Sequence, residues 1–491
     1  MLRKLASQTF LYGSSIILAR LINLAFTPIY TNLFPKEIYG IFTNLYAYVA
    51  VVNVLLSFGM ETTFFRFVQD ESDPKKIYGQ AFAWVGLLVL LFAAVVGSLH
   101  APIAALMGYP GRGELILLLL GIVVLDALAA LPKARLRQEE RVRWFAVIIL
   151  TNVLVTLVAN VVFVLWLRLG IEYVFVANLI ASAIQFLMTL WRNVPTQLRP
   201  DPRLLRAMLP YAFFIMLAGL AGIMNETLDR IMLPLRWTDG TWFAGAARSP
   251  QEMNGIYGAI YKIAILIQLA IMAFRYAAEP FFFREASQKD SPRTFARVFH
   301  YFTLATLAGF LLIGSFDQEI VSFDFFGVFG PEWTFVDEDY WVGLDVVPIL
   351  LLAYVFSGAY TNLSIWYKLT KQTRFALLFT STGALITILV NYFGIPTYGY
   401  LASAWATLLC YATMAVMVYV AGQVYYPIPY RIGRVSLYGA LFVGAFFLNQ
   451  HIGPTNGYWL AGLAKVLICA ATLGLVAVAE RMWPVFSQAR E

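Results

Sequence analysis

Charge is what this chain most lacks. Lys, Arg, Asp and Glu together make up 13% of its 491 residues, against roughly 25% in soluble globular proteins. The deficit runs along the whole chain while 60% of residues are hydrophobic, which excludes a soluble fold and equally a single anchor on a soluble domain. Cysteine is nearly absent. Cys410 and Cys469 both lie inside apolar runs, so no disulfide framework or thiolate metal site follows. His100, His300 and His451 are scattered at the ends of apolar runs and have no metal-ligand spacing. No cofactor is therefore expected. The net charge of +7 does not point to nucleic acid, because the positive residues occupy short loops between apolar runs. In such loops they orient membrane helices.

What the chain has in place of charge is long hydrophobic runs. A bilayer core needs ~20 mostly apolar residues per helix. The pattern predicts an all-α polytopic membrane protein with about fourteen transmembrane helices. They fall near 8–33, 39–60, 77–99, 114–132, 144–167, 173–191, 207–233, 254–278, 298–316, 346–367, 375–395, 399–422, 435–450 and 457–479. The basic start, Met1-Leu2-Arg3-Lys4, leads into a run that contains Arg20, Asn23 and Pro28. That run reads as a retained first helix, not a cleaved leader.

The loops alternate in charge. With the N-terminus inside, one side collects Lys75, Lys76, Lys133, Arg135, Arg137, Arg203, Arg206, Arg293, Arg297, Lys368, Arg374, Arg431 and Arg434, among others. The other side holds only Lys36, Arg112, Arg168, Arg236 and Arg248. The longest outer loop, 317–345, has no Lys or Arg and carries Asp317, Glu319, Asp324, Glu332, Asp337, Glu338, Asp339 and Asp345. This asymmetry predicts both termini on the cytoplasmic side.

The chain also repeats itself. Tyr39-Gly40 and Phe64-Phe65-Arg66 have the spacing of Tyr257-Gly258 and Phe282-Phe283-Arg284. Arg143, Thr151, Thr156 and Asn160 have the spacing of Arg374, Thr382, Thr387 and Asn391. The offsets are 218 and 231 residues, and the acidic loop absorbs the difference. The shift is six helices. It predicts two parallel six-helix lobes, 1–195 and 204–423, followed by two extra helices over 434–480. Parallel repeats of this kind are a transporter architecture; a duplicated scaffold without transport is the competing reading.

Several motifs then resemble a known family. Pro210, Asn225-Glu226 and Asp229-Arg230, with Asn254-Gly255-Ile256-Tyr257, Lys262, Glu279-Pro280 and Phe283-Arg284-Glu285, resemble the seventh and eighth helices of bacterial polysaccharide-biosynthesis flippases. The stretch from Phe10 to Gly40 and the basic loop Ala134 to Arg141 are similar to the same family. These proteins belong to the multidrug/oligosaccharidyl-lipid/polysaccharide exporter superfamily. The resemblance implies two lobes around a central cavity with alternating access, in a bacterial inner membrane. It also implies a cargo, a sugar chain on a polyprenyl pyrophosphate. Polysaccharide-assembly enzymes would then be partners. The chain departs from the common pattern in its outer loop at 234–253 and in having fourteen spans where many relatives have twelve.

Ionisable residues inside spans are the candidate site residues, since each costs ~2.5–3.5 kcal/mol at a helix centre. Arg20 lies about midway along the first span and Lys262 lies ~12 Å inside the eighth, at 1.5 Å per residue. Neither has an acidic residue three or four positions away. A pyrophosphate needs such cations, because guanidinium groups bind phosphate oxygens in a fork. Arg66 and Arg284, repeat equivalents near the cytoplasmic mouth, are candidates to receive it and equally serve as positive-inside anchors. Arg230 and Arg275 are further candidates, although Glu226–Arg230 and Arg275–Glu279 have the spacing of self-neutralising pairs. Asp126, Asp229 and Glu226 are candidates for Na+ or H+ coupling, with interhelical salt bridges as the alternative. Lys465 reads as a packing or interface residue. The expected function is a lipid-linked oligosaccharide flippase and not an enzyme. The alternatives are a cation-coupled multidrug exporter of the same fold and, with least support, a membrane glycosyltransferase or acyltransferase.

Overall fold

A computed structural model describes residues 17–18, 20–69, 73–191, 193–198, 201–238, 249–286, 288, 290–324, 333–370, 372–452 and 458–488. Helices account for most of these described residues; Asp324 and Thr334 form an isolated antiparallel bridge. Among the described residues thirteen helices are long and apolar enough to cross a membrane. The protein is thus an all-α, multi-pass membrane protein. The expected first span, 8–33, lies partly outside the described residues. Its described end is helical from Arg20 and finishes as α1 (Thr27–Leu33), where Pro28 stands in the first turn. There proline costs no hydrogen bond, so Pro28 starts a helix instead of kinking one.

The elements follow in the order α2 (Lys36–Ser57), α3 (Met60–Phe67), α4 (Pro74–Ser98), α5 (His100–Leu106), α6 (Gly113–Gln138), α7 (Val142–Asn160) and α8 (Glu172–Leu190). Then come α9 (Pro202–Arg236), α10 (Pro250–Glu285), α11 (Ser291–Ser315), α12 (Asp317–Val321), α13 (Val347–Leu363), α14 (Ile365–Leu369), α15 (Arg374–Tyr398), α16 (Tyr400–Tyr425), α17 (Ile432–Gln450) and α18 (Tyr458–Gln488). Helix α7 runs on as a π-helical turn, Val161–Trp166, and a 3-10 segment, Glu338–Val346, leads into α13.

Local sequence explains the starts. Helices α4 and α9 both begin Asp-Pro. Asp73 accepts from Lys75 N at 3.0 Å and Asp201 from Arg203 N at 3.0 Å. Each aspartate satisfies N–H groups that a helix start leaves unpaired. The two caps are joined: Lys76 Nζ lies 2.8 Å from Asp201 and Gln197 donates to Asp73 at 3.2 Å. Gln197 and the capping N–H groups hold the Asp73 carboxyl below its ordinary range, and Lys76 does the same for Asp201. Two buried asparagines at corresponding positions of the sequence repeat bond alike. Asn160 Nδ2 donates to Thr156 O at 2.8 Å, and Asn391 Nδ2 donates to Thr387 O at 2.8 Å.

Packing sets the position of the site. Helix α6 packs on α4 and α8, and α8 on α7; α16 packs on α13 and α15, and α15 on α9. Helix α2 joins these groups by packing on both α9 and α10. The α2–α10 crossing is a backbone contact: a Cβ on Gly40 would stand 1.8 Å from Gln251 O, and one on Gly255 would stand 2.0 Å from Lys36 O. Small residues are what let membrane helices approach this closely. The crossing is tied by Asn254 Nδ2 donating to Gly40 O at 3.2 Å and by a buried Lys36–Glu252 ion pair at 3.0 Å. Nearby, Tyr340 OH donates to Phe34 O at 3.0 Å and Asn32 Nδ2 to Thr334 O at 2.8 Å. These contacts close the α2–α10 crossing at this end of the bundle. Helix α17 packs on α11, and α18 packs on α17 and α11.

Candidate functional site

Beneath that seal lies a cavity of about 280 Å³, where α2, α9 and α10 meet the first helix. Helix α2 turns one face to it: Tyr39, Phe42, Thr43, Tyr46 and Ala47 recur at helical spacing. Helix α10 contributes Gly258, Lys262 and Ile265, again one face, and α9 contributes Thr227 and Arg230. Asn23, Thr27 and Tyr30 come from the first helix, Thr156 from α7 and Asn178 from α8. Tyr30 OH donates to Asn160 Oδ1 at 2.9 Å, which fixes the ring between the first helix and α7. Asn178 is bonded to the Tyr46 hydroxyl.

Two of the cations expected to bind substrate, Arg230 and Lys262, line this cavity together, and its described lining holds no carboxylate. The Arg230 guanidinium lies 4.0 Å from the Tyr261 ring centre, a cation–π contact worth ~0.5–2 kcal/mol. The expected Glu226–Arg230 side-chain pair is replaced by a backbone contact: Arg230 Nη1 donates to the Glu226 carbonyl at 3.4 Å. The carboxylate that balances Arg230 is its neighbour Asp229. Asp229 is buried, accepts from Tyr257 OH at 2.6 Å and from Arg230 N at 2.8 Å, and does not reach the cavity. Lys262 forms no hydrogen bond or ion pair among the described residues. The positive charges of Arg230 and Arg20 both act on it. Arg20 is exposed on the first helix and contributes field, without being part of the described lining.

The remaining expected residues lie elsewhere. Arg66 and Arg284 are exposed, on the last turns of α3 and α10, with Arg284 5.8 Å from the Phe281 ring. Arg275 lines a small separate crevice with Thr361 and Lys368. The side chain of Glu279, its expected partner, lies outside the described residues. Glu226 lies near Tyr261, Tyr354 and Tyr411 and acts on all three. Asp126 accepts from Ser182 Oγ at 2.8 Å and is offset by Lys133, seven residues on along α6. Lys465 pairs with Glu319 at 2.8 Å. Among the described residues no group of three His, Cys, Asp or Glu is placed to hold a metal.

The residues that sequence reasoning passed over are the aromatic ones. Tyr39, Phe42 and Tyr46 were readable as one stripe of α2, at intervals of three and four, but aromatic residues occur all along the chain. Chemically the cavity offers two cations, hydroxyls and amides, and aromatic faces. That set is chemically complementary to an anion carrying a polar, ring-bearing group.

Comparison with known proteins places this architecture. The family model described as polysaccharide biosynthesis protein matches residues 5–285. The comparison with curated proteins gives no match. Among solved structures, lipid II flippase MurJ in an inward closed conformation has a TM-score of 0.73 at 13% identity, covering 97% of this chain and 100% of that one. An inward-facing multidrug resistance MATE family transporter of the MOP superfamily has a TM-score of 0.62 at 14% identity, covering 85% and 96%. A variant of the Vibrio cholerae MATE transporter VcmN has a TM-score of 0.55 at 16% identity, covering 85% and 96%. At these identities the likeness is one of fold.

Proposed function

Because the chain belongs to the polysaccharide biosynthesis protein family, we propose that it is a transporter, not an enzyme, which flips a polyprenyl-pyrophosphate-linked oligosaccharide across a bacterial inner membrane. The observation that carries this reading is the sign of the cavity: Arg230 and Lys262 without a carboxylate in the described lining. A half-buried ammonium with no partner among the described residues costs free energy that a phosphate ligand offsets.

The proposed cycle uses the described geometry. Both termini are cytoplasmic, so the sealed end with Lys36 and Glu252 faces outward. Residues 1–195 and 204–423 act as two lobes. The pyrophosphate enters from inside, past Arg66 and Arg284, and settles between Arg230 and Lys262 within the field of Arg20. The sugars lie against Tyr39 and Tyr46, and the prenyl tail stays in lipid. Release to the outer leaflet needs α2 and α10 to part at Gly40 and Gly255, with loss of the Lys36–Glu252 pair. Coupling to Na+ or H+ falls to Asp229, Glu226 or Asp126, of which Asp229 is nearest in sequence to a cavity cation. Polysaccharide-assembly enzymes are the proposed partners on either side.

A multidrug exporter is the second reading, since MATE transporters share the fold. A cationic drug would meet Arg230 and Lys262 and be repelled. A glycosyltransferase or acyltransferase has less support, because the described lining offers neither carboxylate nor histidine as a base. The test is flipping of a fluorescent polyprenyl-pyrophosphate oligosaccharide in liposomes holding the purified protein. Acceleration over empty liposomes, lost in Lys262→Ala, supports the proposal. No acceleration, with uptake of a cationic dye under an ion gradient, would move the chain to the exporter reading.

A further inference from the structure

A second cavity, of about 290 Å³, lies where α11, α17 and α18 meet, away from the central one. It involves the two C-terminal helices that the transport cycle above leaves without a role. Arg293, Arg297 and His300 line it from α11, spaced by four and three residues, so they share one helical face. Arg431 lines it from the N-cap position of α17, which brings the positive end of that helix to the same space. Arg434 lies one turn further on.

One carboxylate, Glu480 of α18, is part of the described lining. It is already engaged: Arg434 Nη2 lies 3.1 Å away, His300 Nε2 3.1 Å away, and Tyr438 OH donates to it at 2.8 Å. Arg434 and Glu480 are both largely buried, and their charges cancel. Arg293 has Asp290 at 4.0 Å, but both side chains are about four-fifths exposed, where such pairs contribute little. Arg297 and Arg431 form no ion pair among the described residues. The cavity therefore keeps an excess of guanidinium charge. His300, more than nine-tenths buried, lines it, and its Nδ1 has no hydrogen-bond partner among the described residues.

We propose that this cavity binds the phosphate group of an anionic membrane lipid. Arginines bind phosphate oxygens bidentately, and basic pockets between transmembrane helices suit anionic headgroups. Depth favours a lipid over a soluble ion. The cavity is built at the starts of α11 and α17 and near the end of α18, where spanning helices leave the bilayer. Tyr301, 55% exposed on α11, stands beside it as an interfacial aromatic. The volume equals that of roughly ten waters at ~30 Å³ each, room for a phosphodiester and its first glycerol. The extra helices thus give the bundle a lipid clasp on its flank, separate from the transport path.

The test is lipid retention by the full-length protein, read by native mass spectrometry after exchange into detergent with phosphatidylglycerol or phosphatidylcholine. Wild type should retain phosphatidylglycerol at least tenfold over phosphatidylcholine. The double variant Arg297→Gln/Arg431→Gln, at exposed positions that do not disturb folding, should lose that preference at least fivefold. Arg293→Gln should give a smaller loss, and all variants should flip cargo normally in phosphatidylcholine liposomes. Inorganic phosphate is the second probe. If phosphate raises the melting temperature of wild type and not of the double variant, with no phosphatidylglycerol preference, the site is an anion site for a soluble phosphate and the lipid assignment fails. Equal behaviour of wild type and double variant with both probes would overturn the proposal.

Discussion

Two aspartates, Asp126 on α6 and Asp229 on α9, are each set among helices beside a basic residue, and the outcome differs. Asp126 takes a hydrogen bond from Ser182 and is offset by Lys133 along its own helix. Neither reaches the central cavity. Asp229 takes a hydrogen bond from Tyr257 and balances Arg230, but the guanidinium next to it turns into the cavity, to stand with Lys262. The first pair stays outside the described lining of the cavity. The second holds its acid back in the protein and presents its base to the cavity. A carboxylate in a membrane helix therefore says little by itself; which face its partner takes decides whether the pair is structure or site.

The strongest way to break this contrast is to delete the cations. Arg230→Ala and Lys262→Ala should each slow flipping roughly 10- to 100-fold, the loss of one charge-assisted phosphate contact at ~1.5–3 kcal/mol. Lys133→Ala should slow it far less. Equal losses at all three positions, in vesicle flipping with folding verified, would erase the distinction.

Next in size is the seal. Gly255→Val adds atoms where a Cβ already stands 2.0 Å from Lys36 O. Overpacking of this kind costs ~1–3 kcal/mol, which shifts the equilibrium away from the sealed state about 5- to 150-fold at 1.4 kcal/mol per tenfold. A cysteine placed at residue 36 should then label faster from outside. Unchanged labelling would mean that α2 and α10 do not form the gate.

A smaller effect sharpens the comparison of the two acids. Asp229→Asn should abolish dependence of flipping on a Na+ or H+ gradient, while Asp126→Asn should leave it in place. Gradient-driven and gradient-free rates measured side by side would show it, and the reverse pattern would assign coupling to the Asp126 side.

The smallest expected effect is on stability alone. Burial raises the Asp317 carboxyl on α12 from 3.8 to about 6. A raised carboxylate binds its proton more tightly in the folded protein, so stability rises as pH falls from about 6 toward 3.8. The gain between pH 7 and pH 5 is about 1 kcal/mol. Asp317→Asn should remove this dependence of the melting temperature. At the N-caps of α4 and α9 the sign is opposite: Asp73 and Asp201 have depressed values, so their contribution is present at neutral pH and lost as pH falls through those values.

Much of the fold was legible because membrane helices announce themselves by length and hydropathy, and thirteen described helices fall where the apolar runs are. Lys262 was legible too, since an ammonium in a membrane helix with no acid one turn away is expensive wherever it points. Arg230 was half legible: the spacing to Glu226 suggested neutralisation, but the guanidinium finds the Glu226 backbone carbonyl and the Tyr261 ring instead, which sequence spacing does not show. Arg66 and Arg284 are equivalent in the repeat and both exposed, so their positions fit a mouth and an anchor alike. The aromatic lining was hidden by abundance. Tyr39 and Tyr46 line a cavity beside the crossing of α2 and α10 at Gly40 and Gly255, a contact between segments over two hundred residues apart.

The measurement closest to the central claim is binding of a polyprenyl pyrophosphate to the purified protein, set against its charge-reversed and charge-conserving variants at Lys262. The cationic-cavity account predicts binding by wild type, retained in Lys262→Arg and lost at least tenfold in Lys262→Glu. Equal pyrophosphate binding by wild type and Lys262→Glu would contradict it.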